Sequence, residues 1–218
     1  MDKIVWHFET KASEDRLSEA REFARRMAHR RSIREFDPDV QISDQIIEAC
    51  IQAAAQAPSG ANRQPWHFAV VKSHEMKLQL RDLAEEVERD FYTSEKFANW
   101  RDDIQHISTG WSKPHFTDCS HIIVPFMQMR RLGDEITEPN YYPKESVGLA
   151  TGFLLAALEL AGTATLVHTP HNMNFLNSLL GRPNHERAFV LVIVGAPRQP
   201  ARVPNLTRKT LAEISSWY

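Results

Sequence analysis

Arg30, Arg31, Ser32 and Arg34 place three guanidiniums and a hydroxyl within five residues. A guanidinium keeps its proton in a protein and grips phosphate oxygens as a two-pronged fork, so the run can hold one anion if its side chains converge. A solvated basic turn is the competing reading. Glu88 and Tyr92 are spaced to share one helical face, and Lys113 follows in a polar stretch just after Trp111. An acid, a phenol and an ammonium are what an amino-acid zwitterion requires. Glu88 would pair with its α-ammonium and Lys113 with its α-carboxylate, while Tyr92 would hydrogen-bond that carboxylate. Alternatively, Glu88 belongs with Glu85, Glu86 and Asp90 to the solvated face of an acidic helix. Pro58-Ser59-Gly60 reads as a turn after a helix, with glycine where backbone could approach a ligand closely. His168 and His171 have no Glu-flanked or Cys-flanked pair beside them, so no metal site is expected.

These residues need elements to position them. Leu17, Ala20, Ala24 and Met27 recur at helical spacing over residues 14–27. Ser43 and Asp44 supply N-cap chemistry for a helix whose apolar side carries Ile46, Ile47, Cys50, Ile51 and Ala54, with Pro58 as its stop. Met76, Leu80, Leu83, Val87 and Phe91 define a charged third helix that carries Glu88 and Tyr92. Residues 146–161 are apolar almost all round, which predicts a helix buried on most sides, in the core or at a subunit interface. A short helix at 174–180 ends at Gly181. Strands are expected at 68–71, 122–127, 163–167 and 189–194, with Pro125 putting the second at a sheet edge or a bulge. Residues 93–116 read as a long polar loop dotted with aromatics, the pattern of a lid. The tail after Pro197 reads as an extended arm that a partner subunit would cover. Helices interspersed among strands predict an α+β sandwich.

The chain has 218 residues, 42% of them hydrophobic and 25% charged, with a formal net charge of −2. That length suits one domain, and the balance gives no general affinity for polyanions. Cys50 and Cys119 are not spaced as a metal knuckle or redox pair, and Cys50 reads as a buried reduced thiol. No apolar run is long enough to span a membrane and the N-terminus is not a signal peptide, so a cytoplasmic setting is expected. No Gly-x-Gly-x-x-Gly or P-loop is present, which leaves a Rossmann nucleotide site unsupported.

Arg-Arg-Ser-x-Arg at 30–34, followed by Ala-Pro-Ser-Gly-Ala-Asn-x-Gln-Pro-Trp at 57–66 and then a strand, resembles the FMN-dependent nitroreductase superfamily. The resemblance covers nearly all of the chain after about residue 28. It implies a nitroreductase-like FMN-binding sandwich, a central mostly antiparallel sheet flanked by helices, assembled as an intertwined homodimer. Residues 1–218 would form the single domain, with an arm from about 198 wrapping the partner subunit. It further implies that Arg30, Arg31, Ser32, Arg34 and Arg208 hold the FMN phosphate and ring edge, and that Pro58, Ser59 and Gly60 lie along the flavin.

The trio Glu88, Tyr92 and Lys113 narrows the resemblance. So do Thr169-Pro170-x-Asn172, Tyr141-Tyr142, Leu180-Gly181-Arg182-Pro183 and Pro204-x-Leu206-x-Arg208-Lys209. Together they resemble the iodotyrosine deiodinase branch of the superfamily. By that resemblance, Ala61 offers its backbone N–H to a substrate phenolate, and Thr169 hydrogen-bonds flavin N5, favouring one-electron steps over hydride transfer. The implied activity is reductive dehalogenation of mono- and diiodotyrosine, with electrons from an unidentified donor or reductase. Vertebrate members carry an N-terminal membrane anchor, and the animal enzymes tend to have threonine where this chain has His168. A general NAD(P)H-dependent nitroreductase or quinone reductase, and a non-catalytic flavin-binding protein, are the rival readings.

Overall fold

The apolar runs around residues 70, 124 and 192 become strands because each can be covered on both faces of a sheet. A computed structural model describes residues 4–7, 9–107, 109–131 and 138–218; the first three residues of the N-terminal segment, read above as no leader, lie outside these. The chain divides into two compact units, residues 1–30 and residues 31–218. In the first, α1 (Ser13–His29) buries none of its side chains. Glu14 and Asp15 in its first turn and Arg26 and His29 in its last complement the helix dipole.

The second unit runs in the order α2 (Asp44–Ala54), β1 (Trp66–Val71), α3 (His74–Thr93), α4 (Ala98–Ile104), α5 (His115–Asp118) and β2 (His121–Gln128). It continues with α6 (Pro143–Leu160), β3 (Ala164–His168), α7 (Phe175–Leu179), β4 (Glu186–Ala188), β5 (Leu191–Gly195) and α8 (Leu211–Ile214). The sheet order is β1-β2-β5-β3, with β4 also on β2, and every pairing between these strands is antiparallel. Side chains alternate between the sheet's faces as strand geometry requires. Ile122, Val124, Phe126, Leu191 and Ile193 pack with Leu80 and Ala84 of α3. Ile123, Val192 and Val194 pack with Ile47 and Cys50 of α2 and Leu154 and Leu158 of α6. The result is the expected α+β sandwich. At the second layer's end, His121 sits 2.9 Å from Ser120 Oγ and 2.9 Å from Asp44 Oδ1, tying the first turn of α2 to β2.

Three expectations change. The strand holding Pro125 is not an edge, since β2 pairs with β1, β4 and β5. Phe189 N donates to the Pro125 carbonyl at 2.9 Å between the β4 and β5 pairings, so proline's missing N–H falls at an interruption in the neighbouring chain. The helix over 146–161 is α6; within the single chain it buries one side, so it is not central in the core, and the subunit-interface alternative stays an expectation. Val147, Ala150, Leu154 and Leu158 are covered, while Leu149, Phe153 and Leu160 are exposed. The stretch 93–116 is largely helical, with two turns of 3-10 helix (Glu95–Phe97 and Gln105–Ile107) flanking α4. Trp100, Ile104 and Ile107 recur at helical spacing and line a cavity, but the polar residues between them hid these turns; Arg101 adds a polar anchor. That guanidinium donates to the Phe91 carbonyl at 2.9 Å and to the Ser94 carbonyl, fixing α4 to the end of α3.

Candidate active site

Leucine, alanine and phenylalanine at helical spacing bury one side of α3, and this rotation carries Glu85 and Glu88 inward while Glu86 and Asp90 stay exposed. The acidic run is therefore not a uniformly solvated face. Glu85 accepts the backbone N–H of Lys113 at 2.8 Å and the Arg81 guanidinium at 2.8 Å. This peptide clamp fixes where the lid stretch delivers its ammonium. Lys113 Nζ then lies 3.2 Å from Glu88 Oε2, with both side chains almost wholly buried. Thr109 Oγ1 accepts from the same ammonium at 3.2 Å, and the Gly110 carbonyl also accepts from it. Tyr92 turns its ring toward this pair, with Lys113 Nζ 5.4 Å from the ring centroid.

Glu88, Tyr92 and Lys113 line a cavity of about 250 Å³ together with Arg34, Thr169, His168 and His115. Phe91, Trp100, Ile104, Ile107 and Leu166 supply its apolar wall. Its polar groups are strongly perturbed. Burial pushes the Glu88 carboxyl up, but His168 and Lys113 outweigh it and hold the group below its usual range. Burial lowers Lys113 despite Glu88's opposing pull. Tyr92 is raised, chiefly by burial; its hydroxyl is buried without a hydrogen-bond partner, Thr109 being close but not aligned. Burial lowers Arg34, a half-buried cation with no hydrogen bond or ion pair among the described residues. Such a cluster in a cleft is what binding or catalysis requires of titratable groups.

The other sequence candidates lie elsewhere. Arg31 donates to the Pro204 carbonyl at the base of the C-terminal arm. Ser32 bridges to Thr165 of β3. Ser59 Oγ accepts Gln64 N–H at 2.9 Å, closing the turn. Gly60 meets close approach from within the chain, since a Cβ there would lie 3.0 Å from the Tyr141 carbonyl oxygen. Pro58 and Ala61 are exposed, and Ala61 has a left-handed φ of 50°. Its N–H meets no acceptor among the described residues, and strained backbone offering a free donor is characteristic of ligand-binding turns. Arg208 is exposed on the arm, and Arg30 caps α1 in the first unit. Among the described residues no group of three or more His, Cys, Asp or Glu side chains is placed to hold a metal.

Glu85 and the His168–His115 pair were not assigned to the site by the sequence. Glu85 shares the buried face of α3 with Glu88, so helical spacing alone could have found it. The histidines carry no comparable signal, because only the fold brings α5 and the end of β3 together.

A nitroreductase family profile matches residues 27–196. The chain belongs to the nitroreductase family. Among its relatives in that family, an iodotyrosine deiodinase of Haliscomenobacter hydrossis is 42% identical over 206 residues, covering 94% of this chain and 92% of that one. One from Daphnia pulex is 37% identical over 219 residues, covering 99% of this chain and 72% of that one. A crystal structure of oxidized iodotyrosine deiodinase bound to FMN and 3-iodo-L-tyrosine superposes with a TM-score of 0.74. It is 25% identical and spans 89% of this chain and 100% of that one.

The residues at the cavity fit the family's flavin. Arg34 offers an unpaired guanidinium, Tyr92 an orphaned hydroxyl and Thr169 an exposed one, beside an apolar wall. A planar ring with carbonyl oxygens and nitrogens along one edge needs that combination.

Proposed function

We propose that this chain is an FMN-dependent reductive dehalogenase that converts mono- and diiodotyrosine to tyrosine and halide. One observation carries the reading: a buried carboxylate and a buried ammonium 3.2 Å apart face a cavity of about 250 Å³ with one apolar wall, beside an unpaired phenol. A buried ion pair is weak evidence of stability. It is well suited to exchange with a zwitterion, in which Glu88 takes the α-ammonium and Lys113 the α-carboxylate.

Bound FMN would supply two electrons, which with one proton replace the carbon–halogen bond by carbon–hydrogen and release halide. Arg30, Arg31, Ser32, Arg34 and Arg208 would hold the cofactor's phosphate and ring edge, with Pro58, Ser59 and Gly60 along it. The Thr169 hydroxyl would hydrogen-bond N5. Ala61 N–H would hold the substrate phenolate. Tyr92 would hydrogen-bond the substrate carboxylate, and the stretch carrying α4 would exclude water from above.

A homodimer would gather the residues that lie away from the cavity. Exposed Leu206, Leu211, Ile214 and Trp217 on the arm, and exposed Leu149 and Phe153 on α6, support such an interface. Electrons would come from an unidentified donor or reductase. A cytoplasmic setting is supported by two unpaired, buried cysteines. No described helix is long and apolar enough to cross a membrane.

The test is dithionite-driven turnover of 3-iodotyrosine by the FMN-loaded protein, reading iodide and tyrosine. Stoichiometric release supports the reading. Absence of iodide, with rapid NAD(P)H-driven reduction of nitroaromatics, would replace it by a general nitroreductase.

A further inference from the structure

His168 ends β3, directly before Thr169, and its side chain is nearly buried. Its Nε2 lies 3.4 Å from Glu88 Oε1, while Lys113 Nζ lies 3.2 Å from Glu88 Oε2. The two oxygens of one carboxylate are thus divided between two nitrogen groups. The His168 contact is not aligned as a hydrogen bond, and this Nε2 makes no other. The Phe116 ring meets the imidazole edge-on with centroids 5.1 Å apart, and His115 lies 5.3 Å away, so the imidazole is confined.

We propose that His168 is a positioning residue for substrate ammonium. When Lys113 turns to the substrate carboxylate, the His168 Nε2–H closes its 3.4 Å contact with Glu88 Oε1 into a hydrogen bond and keeps that carboxylate aimed into the cavity, and protonation of the imidazole disfavours zwitterion binding. This rests on the function proposed above and goes beyond it. Without a second donor, drawing Lys113 away would leave a buried carboxylate free to rotate and poorly satisfied. A neutral imidazole supplies that donor without competing for the ammonium. A protonated one adds a second cation beside Lys113, and the incoming ammonium would be a third.

The groups facing His168 are Glu88 of α3, Lys113 of the lid stretch, His115 of α5 and Arg34; Tyr92 of α3 lines the same cavity. Burial lowers His168 below its ordinary 6.5, with Glu88 opposing and Lys113 and Arg34 reinforcing. Glu88 is held below its usual 4.5 and His115 titrates only at about 2. Acidification therefore charges His168 only below its ordinary value, with burial opposing it; His171 lines the same cavity and is common to the wild type and the His168 variants.

The test measures 3-iodotyrosine affinity by flavin fluorescence from pH 5.5 to 8 in the FMN-loaded wild type, H168Q and H168L. Glutamine keeps an N–H donor but does not titrate. The wild type is expected to lose affinity on acidification. H168Q should lose it with a slope smaller by up to one proton, and any limb due to the substrate phenol should be common to both. H168L should bind roughly tenfold more weakly at pH 7.5. Retained flavin absorbance and an unchanged melting temperature report folding; if H168L sheds flavin, the H168Q slope decides alone. An identical acid limb in wild type and H168Q overturns the proposal, as does wild-type affinity in H168L. Failure of the wild type to bind iodotyrosine at pH 7.5 would instead overturn the function on which it rests.

Discussion

Lys113 is held three ways, by its own peptide N–H on Glu85, by Thr109 and the Gly110 carbonyl at its tip, and by Glu88 across the cavity. Only the tip interactions need be exchanged when a carboxylate arrives, because the peptide clamp is independent of the ammonium. K113A should therefore leave the backbone and the flavin in place while weakening iodotyrosine binding by about 2–5 kcal/mol, the cost of removing one partner from a buried charge pair. Titration of the FMN-loaded variant checks this, and unchanged affinity would remove the zwitterion role. Thr169 is different in kind. Under the proposed function its hydroxyl would hydrogen-bond the reacting edge of the cofactor, so T169A should retain iodotyrosine affinity and lose deiodination rate by roughly a hundredfold. Single-turnover kinetics separate the two, and a full-rate variant would contradict the assignment.

At the scale of elements, α3 presents the acid and the phenol, and α4 covers them. Arg101 couples the two by donating to the Phe91 and Ser94 carbonyls, satisfying backbone acceptors at the end of α3. R101M keeps the alkyl stem and loses those bonds. It should accelerate iodotyrosine dissociation by about tenfold and expose 94–112 to proteolysis, with FMN still bound. Stopped-flow displacement reads the rate, and an unchanged rate would mean that α4 is no lid. Much of this scale was legible in the sequence. Ser43 caps α2 through its hydroxyl, and Gly181 has the positive φ expected after α7. Glu88, Tyr92 and Lys113 meet at one cavity although Lys113 is far away in sequence. What escaped were features decided by neighbours. Pro125 reads as an edge residue until β4 and β5 part beside it, and β4 is too short to carry a period. The exposed side of α6 shows no sequence difference from its buried side.

The whole molecule should be acid-sensitive for a reason visible at its core. His115 is buried against Phe116 and His168, and burial pulls its pKa from 6.5 down to about 2, with nearby positive charges adding to the effect. The fold keeps this imidazole neutral, whereas the unfolded chain protonates it below about 6.5. Stability is therefore full above that value and falls as pH drops toward 2, by up to about 1.4 kcal/mol per pH unit for this one group. H115F removes the titration and nearly preserves the ring. Urea unfolding at pH 7 and pH 5 should show a smaller stability difference in the variant than in the wild type; equal differences would mean that His115 is not the acid-labile group.

The same buried charges make binding the most direct test of function. The measurement is titration of the FMN-loaded protein at pH 7.5 with 3-iodotyrosine, following flavin fluorescence, with tyrosine and a nitroaromatic as controls. Quenching by iodotyrosine at concentrations where tyrosine has no effect is the predicted result. No quenching by the amino acid, with the nitroaromatic still binding, would contradict a site built for a halophenolate zwitterion.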